Sequence, residues 1–235
     1  MSSPMRLAGL RKELKKHGSK EKARLLQRFF KTGPGEYAEG DVFLGLTVPL
    51  LRQLEKKFRG LPLKDIIKLL RSPIHEERML ALFMLIRRYY EEDDRGKEKI
   101  YRLYLAHTEY INNWDLVDVT AKHIVGDFLM DRDKAPLYAL AKSRSVWERR
   151  IAVLATFHFI AHGEFTDFLR IAAILIPDKH DLIHKATGWM LREVGKKDLA
   201  AEEKFLQKYS SVMPRTMLRY AIERFPEAKR LAYLR

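Results

Sequence analysis

Apolar residues recur along this chain at every third or fourth position, which is the spacing of amphipathic helices. Apolar runs that alternate with period two, as in half-buried strands, are missing. The pattern therefore predicts helices from end to end, and the fold class is predicted to be all-α. The predicted ranges are 4–17, 19–31, 47–58, 62–71, 74–91, 95–108, 111–131, 134–143, 145–162, 164–175, 180–197, 198–209 and 214–224, with a short helix after Pro226.

Residues with strong preferences for helix ends punctuate these ranges. Ser19 and either Asn112 or Asn113 stand where a side chain caps a helix start. Prolines lie at or just before predicted starts, and glycines lie at predicted ends: Pro4, Pro62, Pro73, Gly18, Gly60 and Gly163. The one long segment without a helix pattern, residues 32–41, lacks the Gly-Lys-Ser/Thr end of a phosphate-binding loop. We therefore interpret it as an ordered connection.

An internal repeat becomes visible when the longer helices are aligned on a common position. Arg78, Asp118, Arg150 and Lys185 hold this position, at separations of 40, 32 and 35 residues. Such spacing is typical of two-helix solenoid repeats, and its irregularity favours HEAT repeats over the stricter tetratricopeptide pattern. We expect one HEAT-like domain over residues 1–235, in which the second helices line a concave basic surface and the shared position faces that surface.

The net charge indicates a polyanionic partner. The 235 residues include 45 Lys plus Arg against 31 Asp plus Glu, a formal charge of +14. Nucleic acid is the favoured partner, while an anionic membrane surface or an acidic protein would also match this charge. The longest apolar run, residues 79–86, is far shorter than the roughly 20 residues that span a bilayer. Cysteine is absent, which excludes disulfides and zinc-thiolate sites, and we expect an intracellular, cytoplasmic location.

Charged residues surround two of the three tryptophans, which are Trp114, Trp147 and Trp189. Asp118 lies at i+4 from Trp114, while Trp189 has Lys185 at i−4 and Arg192 at i+3. A buried packing face rarely carries so many charges. Trp114 and Trp189 are therefore predicted to lie on an exposed surface, whereas Trp147 is interpreted as a packing residue.

The acidic residue of this surface, Asp118, has two open interpretations. Arg78, Arg150, Lys185 and Arg192 would neutralise phosphates, and aromatic faces between them would stack on a base or a sugar. A carboxylate among phosphate-binding cations weakens DNA binding. Asp118 is therefore either the ion-pair partner of Arg150 or a catalytic group, and the residues alone favour neither.

Four segments of the chain carry a family resemblance. They are Gly40-Asp41-Val42-Phe43-Leu44-Gly45-Leu46 with the following Val48-Pro49 and Arg52, then Trp114-Asp115-Leu116-Val117-Asp118, Trp147-Glu148-Arg149-Arg150, and Lys185-Ala186-Thr187-Gly188-Trp189-Met190-Leu191-Arg192-Glu193. In this order and spacing they resemble motifs of the DNA alkylation repair family, the AlkD-like DNA glycosylases. The resemblance covers nearly the whole chain.

This resemblance implies a HEAT-like solenoid that holds duplex DNA and removes cationic N3- or N7-alkylated purines without flipping the base. By motif, Asp118 corresponds to the catalytic carboxylate, and Trp114 and Trp189 to aromatics that flank the lesion. Contacts with the DNA are assigned to Arg150, Arg192, Lys185 and Phe29. Phe30 is the alternative to Phe29, and neither has a hydroxyl group; Asn113 stands where some relatives have another tryptophan.

The chemistry of this reaction fits the residues. A cationic alkylated purine is already a good leaving group, so its departure needs little acid catalysis. Positive charge then develops on the deoxyribose, and one carboxylate can stabilise that charge and orient a water molecule. No lysine nucleophile is needed, so we expect a monofunctional glycosylase of the 3-methyladenine/7-methylguanine type without strand cleavage.

Metal and cofactor chemistry is not expected. His158 and His162 have the spacing of a helical metal pair, but the glutamate expected between them is absent. We therefore predict no metal, no cofactor, no membrane contact and a monomer that acts on duplex DNA with alkylated bases. Two alternatives remain open: a non-catalytic HEAT-like DNA-binding module, and a solenoid that binds an acidic protein.

Overall fold

Helices form the regular secondary structure of residues 7–235, which are the residues that the computed structural model describes. Within this range the single β feature is an isolated parallel bridge between Val42 and Ile74. The all-α prediction is therefore confirmed. Pro4, the predicted start of the first helix, lies outside the described residues. A boundary between Leu116 and Val117 separates two units, here called the amino-terminal and the carboxy-terminal unit.

The amino-terminal unit is built around one long helix, α5, whose residues 79–85 are all buried. These residues belong to the longest apolar run of the sequence, and α5 packs against α3, α4 and α6. The helices before the boundary are α1 (Leu7–His17), α2 (Lys20–Phe29), α3 (Val48–Lys57), α4 (Leu63–Leu70), α5 (His75–Glu91) and α6 (Asp94–Leu105), followed by a 3₁₀ turn (Thr108–Tyr110). Alone among these helices, α2 has no buried residue.

The carboxy-terminal unit is organised around α10 and α12. Helix α10 packs against α9, α11 and α12, and α12 packs in turn against α13 and α14. The chain contains, after α7 (Trp114–Asp118), a π-helical turn (Lys122–Gly126), α8 (Asp127–Leu129), α9 (Ala135–Ala141), α10 (Val146–Ala161), α11 (Thr166–Leu175), α12 (Asp181–Lys197), α13 (Leu199–Tyr209), α14 (Arg215–Ala221), a 3₁₀ turn (Ile222–Arg224) and α15 (Glu227–Leu234).

The predicted single helix over 111–131 is wrong. Helix begins only at Trp114, a turn at residues 119 and 120 ends α7, and a π-helical turn follows at Lys122–Gly126. The physical reason is packing against α10, which the spacing of apolar residues along the chain does not reveal. A β-carbon at Gly126 would lie 2.2 Å from the carbonyl oxygen of Ala155 on α10, so the backbone there approaches α10 more closely than any other residue allows.

Several predicted punctuation residues act as expected. The Ser19 hydroxyl accepts a hydrogen bond from the Lys22 amide at 3.3 Å at the start of α2. The Asn113 side-chain oxygen accepts from the Trp114 amide at 2.8 Å. Gly163 follows α10 with φ +83°, a conformation that a side chain disfavours. Between residues 7 and 235, no helix is both long and apolar enough to cross a membrane.

Candidate functional site

An aromatic cluster surrounds Trp114 in the amino-terminal unit. Phe30, which directly follows α2, stacks on the indole with ring centroids 5.3 Å apart at 28°. Phe29 meets the indole edge-on at 5.9 Å, and 63% of Phe29 is exposed. The indole nitrogen donates to the Tyr37 hydroxyl at 3.2 Å. Trp114 is partly buried, so the cluster fixes the indole and leaves part of it accessible.

The segment 32–41 supplies Tyr37 to this cluster, and its ordered conformation agrees with the sequence interpretation. Gly35 and Gly40 have φ angles of +75° and +81°, and Lys31 has φ 53°. These left-handed residues fold the segment back after α2, so that the Ala38 amide bonds the Lys31 carbonyl at 3.2 Å.

A histidine that sequence reasoning missed lies next to this cluster. His75, 3% exposed at the start of α5, contacts the Asp41 carboxylate through Nδ1 at 3.0 Å and the Asp115 carboxylate through Nε2 at 2.9 Å. Its ring stacks on Phe43 at 4.6 Å and is tilted against Phe30 at 5.1 Å. His75 therefore connects the residue that follows Trp114 to the segment before α3.

Arg78 completes this network and corrects an expectation. It was expected to face the basic surface, but it is 3% exposed and donates to Asp41 at 2.6 Å and to the Ser72 carbonyl at 3.0 Å. A buried charge is tolerable only with such partners. Burial alone would raise the pKa of Asp41, but hydrogen bonds from His75 and the charge of Arg78 lower it. The Asp41 carboxylate is thus ionised between two cationic groups.

Glu76, next to His75, binds the backbone of the family-like segment 40–46. Its carboxylate accepts hydrogen bonds from the backbone amides of Leu44, Gly45 and Leu46 at 2.8–3.1 Å. Gly45 has φ +80°, and a β-carbon there would lie 2.2 Å from the Ser19 carbonyl oxygen. Three converging amides form an anion-binding concavity, and here a glutamate of the chain itself occupies it.

The charge of His75 gives a testable pH dependence. Burial lowers its pKa, but hydrogen bonds to Asp115 and Asp41 outweigh burial and raise the pKa from 6.5 to about 8. The charged ring stabilises the folded state fully below pH 6.5, and this contribution is lost as the pH rises through about 8. We expect the His75 ring protons to titrate near pH 8 by NMR. In an Asp115→Asn variant, which removes one of the two carboxylates, the midpoint should move downward; an unchanged midpoint would contradict this assignment.

In the carboxy-terminal unit, Asp118 and Arg150 form a two-point ion pair. Arg150 Nε donates to Asp118 Oδ1 at 2.7 Å and Nη2 to Oδ2 at 2.8 Å, while Nη1 donates to the Leu182 carbonyl. Arg150 is 5% exposed, and the Asp118 side chain is 15% exposed. The guanidinium therefore holds the carboxylate in one orientation, and the carboxylate still reaches the surface.

The remaining predicted residues lie on α12, and each has partners within the unit. The Trp189 indole nitrogen donates to Glu193 at 3.0 Å, and the ring meets Phe157 edge-on at 5.8 Å. Arg192 pairs with Glu223, and Lys185 pairs with Asp181 at 2.7 Å. Trp189 and Arg192 are partly buried, whereas Trp147 is 8% exposed, as expected for a packing residue.

Sequence reasoning foresaw some of these groups and missed others. The Asp118–Arg150 pair was one of its two interpretations of Asp118, and Trp114 and Phe29 do meet. It missed the roles of His75, Asp41 and Tyr37. One signal was available in the sequence. Asp41 lies inside the family-like segment 40–46, and a histidine at the start of an apolar helix is a candidate for an ion pair with a carboxylate.

Comparisons with known proteins identify a matching family and structures with a similar fold. A family model described as DNA alkylation repair enzyme matches residues 10–225. A solved structure from Enterococcus faecalis, described as a predicted DNA alkylation repair enzyme, is similar with a TM-score of 0.68 at 16% identity, over 89% of this chain and 97% of that one. AlkD2 from Streptococcus mutans is similar with a TM-score of 0.54 at 20% identity, over 94% and 97%. At these identities, the structural similarities establish the fold alone. No curated protein matches the chain.

Proposed function

Because the chain belongs to the DNA alkylation repair enzyme family, we propose that it is a monofunctional DNA glycosylase. Its substrates in this proposal are N3- and N7-alkylated purines in duplex DNA, whose N-glycosidic bond it hydrolyses. It acts as a monomer without metal or cofactor, and the damaged base stays in the stack.

The observation that carries this proposal is the clamped, solvent-reaching carboxylate of Asp118. Two hydrogen bonds from Arg150, at 2.7 and 2.8 Å, fix both oxygens of the carboxylate in one orientation. A fixed negative charge stabilises a cation that develops beside it, since no reorganisation is needed during the reaction. In this reading Arg150 also positions Asp118, in addition to the DNA contact expected from the sequence.

The proposed reaction needs one carboxylate. The alkylated purine leaves with the electron pair of the glycosidic bond and becomes neutral, while the deoxyribose gains oxocarbenium character. Asp118 stabilises this positive charge and accepts a hydrogen bond from the attacking water. The water oxygen bonds C1′ and its proton is released, which completes hydrolysis.

The two tryptophans are proposed to contact the damaged nucleotide. Phe30 supports the Trp114 indole from one side at 5.3 Å, and Phe29 is exposed beside it. The Trp189 indole is held by Glu193. Aromatic faces attract cationic groups, so indoles favour both a cationic base and a developing sugar cation. Phe29, Lys185 and Arg192 are proposed to contact the flanking DNA.

One observation favours a second candidate function. The two-point pair of Asp118 and Arg150 has the geometry of a structural salt bridge, and Arg150 is buried. In that case the chain would be a non-catalytic module that binds structured or damaged DNA. The two candidates differ in one product, the free base.

The test is base release from methylated duplex DNA. The purified protein, in buffer with a chelator, should release 7-methylguanine or 3-methyladenine, measured by chromatography of the soluble fraction. The strand should stay intact until alkali cleaves the abasic sites. If neither base is released while the protein binds the same DNA in a salt-sensitive manner, the non-catalytic candidate replaces this proposal.

A further inference from the structure

A cation outside the predicted set contacts the aromatic ring that neighbours Trp189 in the carboxy-terminal unit. The Lys122 ammonium lies over the face of Phe157, 5.0 Å from the ring centroid. Phe157 meets Trp189 edge-on at 5.8 Å. Lys122, Phe157 and Trp189 therefore form a continuous strip of one cation and two aromatic rings, which we call the Lys122 strip.

The π-helical turn explains how Lys122 reaches Phe157. Lys122 opens this turn and Gly126 closes it. The missing side chain of Gly126 lets the turn approach α10 at Ala155, where a β-carbon would lie 2.2 Å from the carbonyl oxygen. Phe157 follows Ala155 by two residues. The close approach thus fixes the position of the backbone from which the Lys122 side chain extends. An ordinary surface lysine has no such constraint.

The predicted phosphate contacts of this unit all have carboxylate partners. Arg150 pairs with Asp118, Arg192 with Glu223, and Lys185 with Asp181. A phosphate would have to compete with these carboxylates. By contrast, Lys122 has no Asp or Glu oxygen within 4.0 Å among the residues that the structure describes, and its ammonium contacts a ring face instead.

We propose that Lys122 is the principal phosphate-binding cation beside Trp189, and that the Lys122 strip grips the DNA backbone there. The inference rests on the proposed function only in taking duplex DNA as the partner. A ring face occupies only one side of an ammonium group, and no carboxylate has to be displaced before a phosphate binds. Contact with one phosphate releases about one condensed counterion.

The experiment compares salt dependences of binding to undamaged duplex DNA, so base release plays no part in the readout. Lys122→Gln should weaken binding about five- to tenfold near about 0.1 M salt and reduce the slope of log K against log salt by about 0.9. Lys122→Arg keeps the charge and should restore the slope. Lys185→Gln is a comparison and not a neutral control, because Lys185 is also a proposed DNA contact; since it already pairs with Asp181 at 2.7 Å, its slope should change less than that of Lys122→Gln.

Two results would overturn the inference: an unchanged slope for Lys122→Gln, or wild-type binding that does not depend on salt. A larger change for Lys185→Gln than for Lys122→Gln would reverse the assignment and overturn it as well. If the slope falls as expected but no base is ever released, the glycosylase proposal fails and Lys122 remains the phosphate contact.

Discussion

An Asp118→Asn variant is expected to release methylated purines about 10²–10³-fold more slowly than the wild-type protein while it binds duplex DNA with similar affinity. Asparagine has the same shape and keeps one oxygen for Arg150, but it lacks the negative charge. Removing one preorganised electrostatic contact from a transition state costs a rate factor of this size. Single-turnover release of 7-methylguanine, measured beside an affinity titration, separates the chemical step from binding.

Asp181→Asn is the matched control for this variant. Asp181 is also ion-paired in the carboxy-terminal unit, with Lys185, but its side chain is 57% exposed. A surface pair contributes little, so this variant should keep the wild-type rate and melting temperature. Equal rates for Asp118→Asn and wild type, with both proteins folded by circular dichroism, would assign Asp118 a purely structural role.

Gly188→Ala is expected to lower the free energy of unfolding by about 3 kcal/mol, because α12 has no room for a methyl group there. A β-carbon at Gly188 would lie 2.3 Å from the Met217 carbonyl oxygen and 2.6 Å from the Tyr220 β-carbon, both on α14. Backbone atoms cannot move aside as a flexible side chain can. A thermal melt should therefore fall by roughly 6–12 °C.

Gly9→Ala provides the control for this substitution. Gly9 also lies within a helix, α1, but the nearest atom to its β-carbon would be Phe58 Cε1 at an ordinary 3.9 Å. Alanine there should leave stability unchanged or raise it by roughly 0.5–1 kcal/mol, since it reduces the freedom of the unfolded chain. Equal melting temperatures for Gly188→Ala and wild type would mean that α12 and α14 can separate at little cost.

The sequence predicted the helices well because their signals are local. The apolar period, Ser19 and Gly163 act within one or two turns of the residues they influence. The interruption between Asp118 and Asp127 was missed for the opposite reason. The π-helical turn depends on how closely Gly126 approaches Ala155, and no periodicity along the chain encodes contact between residues 29 positions apart.

The residues of the candidate site that lie in recognisable sequence motifs were predictable. Asp118, Arg150, Trp114 and Trp189 were found through the family resemblance, and their roles in catalysis and DNA binding stay predictions. The buried network of His75 was not found, since its partners Asp41 and Asp115 come from two distant parts of the chain. The repeat alignment predicts Arg78 at a surface, but its guanidinium is buried and donates a hydrogen bond to Asp41.

The π-helical turn also makes residues 122–126 the place where the segment between Asp118 and α8 can change in length. A π-turn holds about one residue more than the equivalent α-helical turn. Deleting one residue from 122–126 would relax it to regular helix and leave the side chains before and after the turn close to their present faces. Surface loops absorb such deletions silently. Here the deletion would instead shift the backbone that lies against α10 at Gly126 and Ala155, so chain length at this turn constrains how the segment packs on α10.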